Sequence, residues 1–337
     1  MKRYIFSKRF CTMRNSWIAP ILITLSVFII ASGSEAQSGS LRMLFSFDAD
    51  NPEISDSLLT ELNSQLSDDP SNTSLLLERG ALLACMGETD AATEDAAKVI
   101  ELEPDKPDGY ILTAAVALHL EDCENAIDYA ARAIELAPDS VDAYTIRVMA
   151  ATYLGLYQQA LEDSYRIAEL EPDNVGNYNT MAALEVQLGQ YDSAYSHYSF
   201  AISLAPDSAL YLCNRGLFLL NAGQPDEALE DLNMAISVDS TNAHAHAIRA
   251  RFYLESPYRA VDLALEDLSR AIELEPDNSL RYRQRAAAFY YQLGDFEATI
   301  EDMNQAVIVA PFDAVVIHAR GVFYMEHGDL DSAIADF

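Results

Sequence analysis

Prolines recur along this chain at Pro70, Pro104, Pro138, Pro172 and Pro206, each 34 residues after the last. The phase runs on through Ser240, where proline is absent, to Pro276 and Pro311, with steps of 36 and 35 that imply small insertions. A fixed period of this length marks a stacked array, because one such unit is too small to bury its own apolar face and must lean on its neighbours. The text around each proline is nearly constant, as in Ala133-Ile134-Glu135-Leu136-Ala137-Pro138-Asp139 and Ala271-Ile272-Glu273-Leu274-Glu275-Pro276-Asp277. Proline cannot continue a helix and pushes the residue before it out of the helical region, so each site separates two helices. Midway through most units stands Gly87, Gly155, Gly189, Gly223, Gly294 or Gly328, placed as a glycine cap just past a helix end. Each unit therefore reads as helix, short turn, helix.

Small residues mark where the two helices of a unit touch: Gly80, Ala114, Ala182, Gly216, Ala250, Ala286 and Gly321 in the first, and Ala92, Ala126, Ala160, Ala194, Ala228, Ala264 and Ala333 in the second. Tyr110, Tyr144, Tyr178 and Tyr282 share one first-helix position and are sized to fill gaps between units. On period, proline placement and small-residue positions together, the chain resembles the tetratricopeptide repeat family. The resemblance implies an all-α fold, a right-handed superhelical solenoid of antiparallel helix hairpins. Its repeats fall at 73–106, 107–140, 141–174, 175–208, 209–242, 243–278 and 279–313, with a partial one at 314–337. Three places depart from the pattern: Ser240 at a proline site, Thr299 at a small-residue site, and a two-residue lengthening near Glu255-Ser256-Pro257. Leu58, Leu59, Leu62 and Leu66 form one apolar helix face, so 55–72 is expected to be a half repeat that caps the first full one. The text ends at Phe337, inside a second helix, which leads us to expect a longer chain.

Because the repeats are copies of one design, they can be compared with each other. Arginine stands at one first-helix site as Arg79, Arg147, Arg215, Arg249, Arg285 and Arg320, and aspartate at one second-helix site as Asp95, Asp163, Asp231, Asp267, Asp302 and Asp336. In the second and fourth repeats both are missing: Thr113 with Tyr129, and Met181 with His197. Present together or absent together, they predict an ion pair inside each hairpin, of about 1 kcal/mol if partly exposed. A phosphate-gripping arginine ladder is the weaker reading, since every arginine has a counter-ion in its own repeat.

The N-terminus is different in kind. Lys2, Arg3, Lys8, Arg9 and Arg14 precede an apolar stretch from Trp17 to Ala31, followed by Ser34-Glu35-Ala36. That order predicts a secretory signal peptide over 1–36, with a linker over 37–54. An uncleaved anchor holding the repeats outside the cytoplasm is the competing reading, and Met13 is an alternative start. Export implies a periplasmic, secreted or lumenal protein. In the linker, Asp48 and Asp50 lack the further ligand and glycine that a calcium loop needs. Cys85, Cys123 and Cys213 show no CxxC spacing and are expected to be small packing residues, with a Cys85–Cys123 bridge as a minor alternative.

No phosphate loop, dinucleotide fingerprint, nucleophile elbow or zinc helix is present in the sequence, so no enzyme, metal site or cofactor is expected. His244 and His246 lie two apart on a helix and diverge, which assigns them to solvent or a partner. A net charge of -32 disfavours nucleic acid and anionic lipid, and a basic partner is easier to accommodate. Membrane contact is expected only through an uncleaved anchor. The resemblance implies that first helices line a concave face that receives a protein or peptide. Carried over by position, that face is apolar at Leu77, Ala81, Ile111, Ala115, Leu118, Met149 and Tyr153. It is polar, aromatic and locally basic at Asn214, His244, Arg251, Arg283, Tyr290, Tyr291 and His318. The carboxylate clamp of some members is not matched, because Leu77, Ala81, Leu112, Asp142 and Ile146 occupy its places. The expected function is an extracytoplasmic interaction scaffold, with an acidic group of its partner near Arg251 and Arg283. A holdase chaperone, or the recruiting arm of an enzyme domain beyond Phe337, are the alternatives.

Overall fold

The computed structural model describes residues 52–255 and 259–337. The expected signal, Asp48 and Asp50, and Ser256-Pro257 of the longer turn lie outside the described residues. Among the described residues the elements are helices throughout, with no strand. One compact unit ends at Leu204 and holds α1 (Pro52–Asp68), α2 (Thr73–Cys85), α3 (Thr89–Leu102), α4 (Asp108–His119), α5 (Cys123–Leu136), α6 (Val141–Tyr153), α7 (Tyr157–Leu170), α8 (Val175–Gln187) and α9 (Tyr191–Leu204). A second begins at Ala205 and holds α10 (Ala209–Ala222), α11 (Pro225–Val238), α12 (Ala243–Glu255), α13 (Val261–Leu274), α14 (Ser279–Ala288), α15 (Phe296–Val309), α16 (Ala314–His327) and α17 (Leu330–Asp336). Within each unit every helix packs on the next in sequence, which is the all-α solenoid of helix hairpins expected from the period.

α1 begins at Pro52, three residues before the half repeat expected at 55, because proline suits the first position of a helix, where its missing N–H would have no partner. Leu62 and Leu66 are buried, and Leu66 packs on Leu76 and Val99 of the first hairpin. The hairpin contacts are as close as small residues permit. Ala92, Ala126, Ala160, Ala194, Ala228 and Ala264 are fully buried. A Cβ added at Gly80 would stand 2.7 Å from Leu112 Cδ2 and 3.3 Å from Asp95 Cβ, so a side chain there would have to displace the Leu112 side chain.

The departures from the pattern have local explanations. Thr299 replaces an alanine in the fully buried row, and its hydroxyl donates to the Asp295 carbonyl at 2.6 Å. The shared tyrosines close four of the proline turns: Tyr110, Tyr144, Tyr178 and Tyr282 donate to the carbonyls of Pro104, Pro138, Pro172 and Pro276 at 3.0 to 3.4 Å. In the repeat that has Ser240 for proline, His246 stands in place of the tyrosine, with Nε2 3.4 Å from the Ser240 carbonyl. His246 is buried, and its Nδ1 lies 2.8 Å from Asp267 Oδ1, which corrects its assignment to solvent or a partner. The one extra residue of the 35-residue step is taken up in a π turn at Phe289–Leu293 that ends on Gly294 with φ 68°. In the second repeat Glu121 holds the turn position that glycine holds in six others, at φ 60°.

Candidate functional site

Each predicted arginine meets its aspartate. Nε and Nη2 of Arg79, Arg147, Arg215, Arg249, Arg285 and Arg320 donate to the two carboxylate oxygens of Asp95, Asp163, Asp231, Asp267, Asp302 and Asp336, at 2.6 to 2.9 Å. At Arg147 the hydrogen bonds to Asp163 raise the guanidinium pKa against the opposing effect of burial. The aspartates are buried where the arginines are not, with side-chain exposures of 7% at Asp163 and 19% at Arg147. A second function was invisible in the sequence comparison. Nη1 of Arg79, Arg249, Arg285 and Arg320 reaches back sixteen residues, to Asn63, Asn233, Ser269 and Asn304 on the preceding helix, at 2.8 to 2.9 Å. One guanidinium thus closes its own hairpin and ties it to the one before.

The fourth repeat replaces this pair with another buried charge. Glu185 is fully buried, accepts from the Tyr165 hydroxyl at 3.1 Å, and lies 2.8 Å from His197 Nδ1. The His197 ring stacks on Tyr178 with centroids 6.2 Å apart. Burial, with Glu185 nearby, raises the pKa of the neighbouring Tyr198. The sequence reading missed this cluster, although a signal existed: the register position of Glu185 holds Leu83, Ala117, Ala151 and Leu219 in other repeats. A carboxylate in that row requires donors, and Tyr165 and His197 supply them. The polar atoms are turned on one another inside the helix stack, so the cluster is a structural substitute for the missing Arg–Asp pair.

The surface expected on the first helices is narrower than the sequence implied. In the first unit Ala81 and Ile111 are buried, Ala81 among Leu83, Ala92 and Val116, and Ile111 among Ala114, Ala126 and Ile146. In the second unit Asn214 is buried as well. Around these positions the first helices touch one another, α2 with α4, α4 with α6 and α10 with α12. Those three residues are therefore removed from the binding surface. Leu77, Ala115, Leu118 and Met149 are half-buried, and Tyr153 is exposed with its hydroxyl donating to Glu121 at 3.3 Å.

In the second unit the basic character fades. Arg251 donates to Glu255 and to Asn221, both at 2.8 Å. Arg283 is half-buried, its pKa lowered by burial and partly restored by Asp313. His244 is half-buried rather than turned to solvent, and burial, with Arg281 close by, takes its pKa down to about 4. Arg281 is itself buried and paired with Glu275 at 2.7 Å. His318 is exposed, with its ring 5.2 Å from that of Phe337. Tyr290 is half-buried and Tyr291 exposed on the π turn. Among the described residues Cys85 is half-buried, and Cys123 and Cys213 are buried. Burial pushes the Cys213 thiol up to about 12, which leaves it inert. Among the described residues, no group of three or more His, Cys, Asp and Glu could hold a metal ion, and no helix is long and apolar enough to cross a membrane.

A tetratricopeptide repeat model matches residues 77–141 and 179–243, each match running from within one first helix to the start of the first helix two repeats on. Those two stretches are tetratricopeptide repeats. Solved structures of other tetratricopeptide-like arrays share the fold. Yeast Tom70 aligns over 94% of this chain and 73% of its own, with a TM-score of 0.66 and 18% identity. A tetratricopeptide repeat protein from Parabacteroides merdae aligns over 80% of this chain and 98% of its own, with a TM-score of 0.56 and 17% identity. Human IFIT1, solved as a dimer with m7Gppp-AAAA, aligns over 94% of this chain and 80% of its own, with a TM-score of 0.58 and 16% identity. No curated protein matches the sequence.

Proposed function

We propose that this tetratricopeptide array is an exported scaffold that holds a protein or peptide partner against its first helices. The observation that carries the reading is the disposition of the side chains. Ion pairs and buried clusters occupy the interior of each hairpin, while Leu77, Ala115, Leu118, Met149 and Tyr153 leave apolar surface open along α2, α4 and α6 of the first unit. Apolar surface that a fold leaves uncovered in register, beside polar residues, suits a partner segment with apolar anchors. Export is supported by the basic leader and apolar stretch before Ala36. Burial of Cys123 and Cys213 would shield both thiols in an oxidising compartment.

The acidic contact expected at Arg251 and Arg283 is dropped from the reading. Glu255 already neutralises Arg251, and Asp313 acts on Arg283, so an incoming carboxylate would compete with acids of the chain itself. Nor would the charge of this chain attract an RNA such as the one bound to human IFIT1, given the net charge of -32. A photo-crosslinking residue at Met149 is expected to trap a discrete partner in the native compartment, and the same residue at exposed Glu124 on α5 is not. Equal trapping from both positions would overturn the assignment to the first helices. Fusion of residues 1–36 to a leaderless alkaline phosphatase tests export, and an inactive fusion would refute it.

A further inference from the structure

Between residues 52 and 337 the chain has 15 lysines and arginines, and 13 of them are in ion pairs with acids of the same chain. The same stretch holds 50 aspartates and glutamates, so most acids have no cation of their own. The imbalance is steepest at the end of the second unit. From Ala286 to Phe337 the only lysine or arginine is Arg320, and Asp336 binds it at 2.6 Å. The histidines of this stretch are His318, beside Phe337, and His327, stacked on Phe296. The acids include Asp295, Glu297, Glu301, Asp313, Glu326, Asp329 and Asp331.

Within this acidic region the π turn carries an aromatic surface. Tyr290, Tyr291 and Phe323 form a triad with centroids 5.1 to 6.1 Å apart, and the rings of Tyr290 and Tyr291 are perpendicular. Phe323 is buried beneath, and Tyr290 is half-buried. Tyr291 is 62% exposed, which leaves ring surface uncovered in a place that packing does not require. The Glu326 carboxylate lies near it, and helps raise the Tyr291 pKa after the larger effect of burial. π turns inside α-helices concentrate at functional sites, and here the inserted residue is what displaces the tyrosines from the regular helical register.

Building on the scaffold reading, we propose that Tyr291 and Glu326 dock an arginine-bearing segment of the partner, the guanidinium lying on the Tyr291 ring and pairing with Glu326. A planar cation suits an aromatic face and a carboxylate at once, where the more strongly hydrated lysine ammonium is a poorer match. An acidic surface whose own cations are already bound draws such a segment without competing for it.

The test uses the full chain and fluorescein-labelled twelve-residue peptides of glycine and serine carrying three arginines, three lysines or three citrullines, with binding read by fluorescence anisotropy. The arginine peptide is expected to bind most tightly and the neutral citrulline peptide not to bind. Tyr291→Ala and Glu326→Gln are each expected to weaken the arginine peptide by about two- to fivefold, and Glu124→Gln on α5 to leave it unchanged. Both surface variants should keep the helical circular dichroism of the parent. Failure of the arginine peptide to bind, equal binding of citrulline, or equal effects of Tyr291→Ala and Glu124→Gln would each overturn the assignment. None of these outcomes alters the crosslinking expected at Met149, so the scaffold reading stands or falls separately.

Discussion

Replacing Arg147 by methionine would leave the Asp163 carboxylate buried with neither of its two short hydrogen bonds, which are 2.7 and 2.6 Å long. Removing one partner of a buried ion pair costs about 3–5 kcal/mol, because the remaining charge keeps its desolvation penalty without compensation. Arg147 is about one-fifth exposed, so water can enter where the guanidinium was, and about 2–3 kcal/mol is expected here. The double variant Arg147→Met, Asp163→Leu removes both charges and is expected to lie within about 1 kcal/mol of the parent. The chain contains its own precedents, since Thr113 with Tyr129 and Met181 with His197 lack the pair in the second and fourth repeats. Hydrogen exchange followed by mass spectrometry on α6 and α7 reads the local opening free energy repeat by repeat. The double-mutant cycle should give a coupling of about 2 kcal/mol, and additivity within about 0.5 kcal/mol would refute the reasoning.

Glu121→Gly relieves a left-handed residue at φ 60° and is expected to stabilise the second repeat by about 0.5–1 kcal/mol in urea unfolding, the loss of the exposed Tyr153 contact being smaller; a destabilised variant would count against this. His197→Ala leaves buried Glu185 with Tyr165 as its remaining donor at the cluster and should cost about 2–3 kcal/mol. Glu185→Leu copies Leu83 and Leu219 and should cost under about 1 kcal/mol, so similar losses for the two variants by hydrogen exchange would contradict the account. His244 has a folded pKa of about 4, below the ordinary 6.5, so the native state holds it neutral. Its contribution is full above pH 6.5 and is lost as pH falls toward 4, on the order of 3 kcal/mol in all. His244→Gln should flatten that part of the stability profile, and an unchanged profile would refute the assignment.

The hairpin was legible because its determinants repeat in the text. Proline stops, glycine turns and the alanine row act over a few residues, and the paired presence of arginine and aspartate was visible as soon as the copies were aligned. The Tyr–Pro closure was less legible, since Leu76, Leu212 and Ile317 follow Pro70, Pro206 and Pro311 at the same distance, and it needs the carbonyl six residues back to be seen as an acceptor. The site was less legible. Position alone placed Ala81, Ile111 and Asn214 on the binding face, and the structure buries all three.

Local residue patterns therefore suffice for the hairpin: its period, its helices, its small-residue seam and the ion pair that closes it. The stacking of hairpins sets the rest: which first-helix residues stay open, how Glu185 is satisfied from Tyr165 and His197, and that four arginines also bind the helix before their own. The two differ in range. Spacing along a chain dictates contacts within one hairpin, whereas burial and hydrogen bonding between hairpins depend on how closely successive helices approach, and that distance is set by the packing of all their side chains together.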